Sequence, residues 1–212
     1  MLMSSHNMYY LLNKLRELKE SSVREIIEKR IKEFESLPPE KWFSELCFCI
    51  LTANSSAQIG IKAQEVIGDG FLSMSKEELA LVLKKLGHPY YVKRAEYIVE
   101  ARKYREIHKI VSQFGDERQA REWLVKNIKG IGYKEASHFL RNVGYKNVAI
   151  IDRHILRVMV RYGLIEKVPK GLTKKKYLEL EKILERVARE AGLTLAELDL
   201  YLWYMDTGKV LK

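Results

Sequence analysis

Two residues in this chain have the types and spacing to break a bond between a sugar and a base. Lys134 follows closely on the turn Lys129-Gly130-Ile131-Gly132, and Asp152 comes eighteen residues after it. A primary amine is a nucleophile for the anomeric carbon of a sugar. An ionised carboxylate stabilises the oxocarbenium charge that develops there, or activates a nearby amine. The glycine turn gives the same segment a place to grip a phosphate backbone.

The amine needs help from its surroundings. A free lysine at pH 7 is neutral only about once in 2,500 molecules. Placement in the first turn of a helix disfavours the cation by about 0.3–1 kcal/mol, too little to supply a useful nucleophile. Burial beside apolar groups has to supply the difference, so Lys134 is expected in a partly dehydrated pocket. A plain surface lysine is the other reading, in a chain with 38 Lys and Arg. Asp152 follows the apolar run Val148-Ala149-Ile150-Ile151 and precedes a helical pattern, Arg153 to Tyr162. It is therefore expected as an N-cap, a role that keeps a carboxylate ionised and does not exclude chemistry.

These groups need elements to position them. Glu117 to Ile128 carries Ala120, Trp123, Leu124 and Ile128 at helical spacing, and Tyr133 to Val143 carries Ala136, Phe139, Leu140 and Val143. Gly130 and Gly132 break the pattern between them, and Gly144 ends the second helix as a C′ glycine does. The unit is helix, hairpin, helix. Free backbone N–H groups beside a helix N-terminus favour an anion, and nothing in the hairpin reads a base edge. A tight turn between two core helices is the alternative.

Hairpin, lysine and aspartate in this order resemble the helix-hairpin-helix DNA glycosylase superfamily. The resemblance implies that Lys134 is the nucleophile at sugar C1′ and Asp152 its supporting carboxylate. It assigns DNA-backbone contacts to Lys129, Gly130, Gly132 and His154. Family hairpins often carry proline where this chain has Lys129, a mild departure that adds a further cation for phosphate. In the turn Thr52-Ala53-Asn54-Ser55-Ser56, Asn54 matches the polar wedge that fills the space left by an extruded base. A helix C-cap is an equal reading of that asparagine.

Within the superfamily, many members that act on oxidised pyrimidines carry four C-terminal cysteines for an iron–sulfur cluster. This chain has Cys47 and Cys49 only, so one chain cannot form such a cluster. They lie in the apolar segment WFSELCFCILTAN and are expected as two buried thiols. The segments EASHFLRNVG and AIIDRHILR, with the aromatic ending LYLWYMDTGKVLK, look like the compact archaeal-type 8-oxoguanine DNA glycosylases, which are also AP lyases. That likeness places the carboxylate of Lys212 at the Watson–Crick edge of the lesion. Trp203 is a candidate to stack on the base, and His138, one turn after Lys134, to line the pocket. Core packing is the other reading of both.

The implied reaction needs no metal or redox cofactor. Its partner is double-stranded DNA containing 8-oxoguanine, met by a monomer in the cytoplasm, at the nucleoid of an archaeal or bacterial cell. An oxidised-pyrimidine glycosylase and a non-enzymatic helix-hairpin-helix DNA-binding module are the rivals. Net charge is +10 and the isoelectric point about 9.4, which suits a polyanion and predicts steep salt dependence of binding. No apolar run is long enough for a membrane span, and the first residues do not read as a signal peptide.

The fold class expected is all-α, with two small helical lobes around a cleft and a helix-hairpin-helix motif. The 212 residues read as a single unit, with the motif at 117–143 and the N- and C-terminal helices forming the second lobe. Further helices are expected over Leu11–Phe34 with a break near Ser21-Ser22, Pro38–Thr52, Ala57–Ile67, from a Ser75/Glu78 capping box to Gly87, Tyr90–Phe114, Thr173–Ala191, and from Thr194 onward. The charged stretch from Val168 to Gly192 adds nothing evident to function.

Overall fold

The computed structural model describes residues 5–212, with side chains from His6. The reading of the N-terminus as free of a signal peptide falls partly on residues 1–4, outside the described residues. The α-helices, in chain order, are α1 (Ser5–Lys19), α2 (Val23–Glu35), α3 (Trp42–Thr52), α4 (Ala57–Ile67), α5 (Gly70–Ser73), α6 (Lys76–Lys85), α7 (Tyr91–Ala101), α8 (Ile107–Val111), α9 (Glu117–Asn127), α10 (Tyr133–Asn142), α11 (Arg153–Arg161), α12 (Lys174–Ala191) and α13 (Leu195–Thr207). The fold is all-α, with no strand among the described residues, and no described helix is long and apolar enough to cross a membrane.

Side-chain oxygens start six of these helices by accepting first-turn N–H groups. Ser56, Ser75, Asp116, Asp152, Thr173 and Thr194 cap α4, α6, α9, α11, α12 and α13. The Ser75/Glu78 capping box is formed in full. One expected helix is not continuous. Over Tyr90–Phe114 the chain runs as α7, a 3-10 turn at Arg102–Tyr104, and α8. The Arg102 guanidinium explains the break: it donates to the carbonyls of Phe71 in α5 and of Met74 just after it, and those tertiary bonds outweigh helical periodicity.

The chain divides into two compact units. One takes Ser36–Val143, the other the residues up to Glu35 together with Gly144–Lys212. In the first, α3 is the central helix, packed against α4, α7, α8 and α10. From Leu46 to Leu51 it is apolar around its circumference, and Leu46, Cys47, Phe48, Cys49, Ile50 and Leu51 are fully buried, as a helix segment enclosed on all sides must be. Both cysteines are the buried thiols expected. In the second unit α13 packs on α2, α11 and α12, and α1 packs on α2 and α12.

Candidate active site

The hairpin is built by α9, α10 and the turn between them. Ile128 caps the end of α9 in an extended conformation, and Gly130 takes φ +83. A side chain at Gly130 would meet the Tyr97 ring 2.7 Å away, so glycine is required both by its torsion angle and by the close approach. Gly132 is extended, with φ −98 and ψ −169. Having no side chain, it cannot cap the first turn of α10. Only the reverse half of a capping box forms, the Gly132 N–H donating to Glu135 Oε2 at 3.0 Å.

The hairpin therefore offers fewer amides than its sequence implies. Ile131 N–H lies 3.4 Å from Ile128 O, and Gly132 N–H is held by Glu135. The donors left without an intrahelical acceptor are those in the first turn of α10, as at any helix start without a side-chain cap. Lys129, read as a phosphate contact, is two-thirds exposed and pairs with Glu100 on α7 at 3.1 Å.

Three contacts lock α9 and α10 together. Arg121 is 1% exposed; it lies over the Tyr133 ring and donates to Ser137 Oγ. The Tyr133 hydroxyl donates to Glu122. At the far end of α10, Asn142 donates to the buried Glu45 on α3 at 2.7 Å, and Gln64 on α4 donates to the other Glu45 oxygen. A helix tied at both ends gives Lys134 a fixed base.

Lys134 is partly buried, its side chain 28% exposed, and its ammonium lies 3.5 Å from Glu135 Oε1. The group it meets is a carboxylate, where the sequence led us to expect apolar surroundings. His138, one turn on, is buried and stands edge-on to Phe48, with ring centroids 5.4 Å apart. Asn54 occupies the exposed turn between α3 and α4 at φ +54, the one non-glycine residue with positive φ among those described. Two buried donors fix that turn: His88 Nε2–H to Leu51 O at 2.8 Å, and Arg94 to Ala53 O at 2.8 Å.

In the second unit, Asp152 caps α11 as expected. Oδ1 accepts the Ile155 N–H at 2.9 Å, and Oδ2 accepts the Trp203 indole N–H at 3.0 Å. The Trp203 ring also lies 4.7 Å from the His154 ring. His154 donates in turn from Nδ1 to Asp206 Oδ2 at 2.7 Å, and Arg157 and Arg161 hold the same carboxylate. Burial works against the Asp206 charge, but the His154 bond and the two arginines outweigh it and hold the carboxyl below the usual range. Nδ1 is thus the ring nitrogen engaged by Asp206, and Nε2 is the other nitrogen of the ring.

The strap leading into Asp152 has no sheet to hold it. Its amides are bonded instead by α12, the helix set aside as uninformative. Ala149 N–H donates to the buried Glu181, Ile151 N–H to the Tyr177 hydroxyl, and that hydroxyl donates to Ala149 O. Arg121, Glu45, Tyr177, Glu181 and Asp206 all escaped the sequence reading. Each is a polar residue at a buried helical position, the one available signal. Lys212 is half-buried beyond the αL glycine Gly208 that ends α13. No cluster of metal-ligating side chains occurs among the described residues.

The sequence model of the family described as 8-oxoguanine DNA glycosylase matches residues 27–193. The chain belongs to that family. Among curated relatives, the 8-oxoguanine DNA glycosylase/AP lyase of Methanocaldococcus jannaschii is 59% identical over 205 residues, covering 95% of this chain and 99% of that protein. The protein so described from Thermotoga maritima is 50% identical, covering 94% and 98%. A crystal structure of the M. jannaschii glycosylase/lyase with a 15mer DNA containing 8-oxoguanine superimposes with a TM-score of 0.93, covering 96% of this chain and 100% of that one. The T. maritima 8-oxoguanine DNA glycosylase gives 0.90, covering 97% and 100%. Family membership places the lysine and the aspartate in a chain whose relatives act on damaged DNA.

Proposed function

We infer that this chain is a bifunctional DNA glycosylase and AP lyase that removes 8-oxoguanine from double-stranded DNA. The observation that carries the reading is identity of 59% along nearly the whole length of a protein with that activity, in a chain whose own lysine and aspartate suit the chemistry. The damaged base leaves the duplex stack at a cost of about a few kcal/mol. Lys134 attacks C1′, the base departs with the electron pair of the glycosidic bond, and Asp152 stabilises the positive sugar. The resulting Schiff base permits β-elimination on the 3′ side. Lysine and carboxylate suffice for these steps without a metal or redox cofactor.

The remaining residues serve binding. Lys129, Gly130, Gly132 and Nε2 of His154 hold the backbone. Asn54 fills the space of the extruded nucleotide; its exposure in a turn pinned by His88 and Arg94 supports that role. His138, Trp203 and Lys212 recognise the lesion base, Trp203 presenting to it the face turned away from His154. The hairpin region and the terminal helices act as the two lobes of one monomeric enzyme. Relatives in archaea and bacteria support work at the nucleoid.

The test is a labelled duplex with 8-oxoguanine opposite cytosine, incubated with the protein and sodium borohydride. A covalent adduct that Lys134→Gln abolishes is the expected result. Trapping on thymine glycol alone would make it a pyrimidine enzyme. Tight binding with no adduct on either duplex would leave a DNA-binding module.

A further inference from the structure

We propose that Glu135 takes the proton from Lys134 that must leave before the amine attacks, a division of labour that rests on the glycosylase reading above. Adjacent residues on a helix do not ordinarily face each other. Here they do, because Glu135 stands at the third position of α10, from which a carboxylate reaches back to the residue before the helix. Glu135 folds back over the helix start to accept the Gly132 N–H with Oε2, and this turns Oε1 to within 3.5 Å of the Lys134 ammonium. The carboxylate is thereby held by the hairpin itself, at 13% exposure.

The other carboxylates near this end of the helix are engaged elsewhere. Glu122 accepts the Tyr133 hydroxyl, and Glu100 pairs with Lys129. Asp152 belongs to the second unit and has a separate role: it accepts a hydrogen bond on each oxygen, which suits a carboxylate that stays charged to face a cationic sugar. Glu135 Oε1 is the oxygen that points at the reacting nitrogen.

The step is a proton transfer. An N–H bond of the ammonium breaks and an O–H bond forms on Oε1, leaving a neutral amine and a neutral carboxylic acid. The amine lone pair then forms the bond to C1′ as the base departs. In water an ammonium keeps its proton against a carboxylate. Covering the pair with a DNA strand strips the solvent that favours both charges and so favours the neutral pair. The ion pair of the unbound protein becomes an armed nucleophile when substrate closes over it.

Glu135→Gln tests this, because the amide oxygen still accepts the Gly132 N–H while the proton acceptor is gone. Single-turnover excision at neutral pH should fall on the order of 100-fold, and the acidic limb of its pH profile should move to higher pH. Affinity for the lesion duplex should be unchanged. In Glu135→Ala, added formate should restore part of the rate. Wild-type rate and pH profile in Glu135→Gln would overturn the proposal, as would loss of activity in Glu135→Ala that formate does not relieve. Failure of the wild-type protein to form a borohydride adduct would instead sink the glycosylase reading itself.

Discussion

The indole N–H of Trp203 donates to Asp152 Oδ2 at 3.0 Å, so an aromatic residue in the last turns of α13 sets the direction of the carboxylate that begins α11. Asp152 is held from two sides, by its own helix start and by a side chain from another helix. A bond of this kind to a charged acceptor contributes about 1.5–3 kcal/mol. Trp203→Phe keeps an aromatic ring against His154 and loses the donor. We expect excision to slow by about tenfold, equivalent to about 1.4 kcal/mol, with a melting temperature close to that of the parent. Single-turnover kinetics beside a thermal melt will show whether the two separate.

Tyr177 carries two of the bonds that hold the strap before Asp152. Tyr177→Phe leaves the Ile151 N–H and the Ala149 carbonyl without that hydroxyl, at a cost of about 1–3 kcal/mol for each buried group left unpaired. The expected outcome is loss of stability in urea together with slower excision, since the strap delivers Asp152. Unchanged excision in a destabilised variant would detach the strap from the chemistry.

Gly130→Ala places a methyl group where φ is +83 and where the Tyr97 ring lies 2.7 Å away. The torsional part alone is about 1–2 kcal/mol. We expect a lower melting temperature and weaker binding to any duplex, damaged or not, because the hairpin holds backbone and not base. Adding Tyr97→Leu should return the steric share and leave the torsional one, which a double-mutant cycle in urea will read.

His88 fixes the sign of a pH dependence. Burial pushes its pKa down from the ordinary 6.5, more than the Leu51 carbonyl raises it, and Arg94 pushes in the same direction as burial. Its Nδ1 accepts the Tyr90 N–H and Nε2–H donates to Leu51, so the ring is neutral and protonation would break the Tyr90 bond. The unfolded chain binds this proton more readily than the folded one. The stability involved is present above about pH 6.5 and is lost as pH falls through the depressed folded value. Melting temperatures between pH 7.5 and 5 should therefore decline, and less steeply in His88→Gln.

Much of this architecture is legible in the sequence because it is local. Asp152, Thr173 and Thr194 cap the helices that follow them, and Ser75 with Glu78 forms its box, since each device needs only residues within one turn. The helix-hairpin-helix unit is legible for the same reason. What failed depends on distant partners. The break after α7 is set by carbonyls in and just after α5 that Arg102 reaches across the fold. The strap before Asp152 is held by Tyr177 and Glu181 from a helix whose charged periodicity looks ordinary. Glu135 reads as a routine first-turn acid until the structure shows its second oxygen beside the Lys134 ammonium while the first accepts the Gly132 N–H.

The two thiols of α3 bear on the conditions under which such an enzyme works. Cys47 and Cys49 are 0% exposed, and burial pushes the Cys47 thiol well above its usual range. Oxidants react with thiolates they can reach, and neither of these sulfurs offers access. A repair protein for oxidised guanine meets the agents that make its substrate. With its cysteines sealed inside a helix enclosed on every side, those agents find no sulfhydryl to inactivate while the damage is being removed.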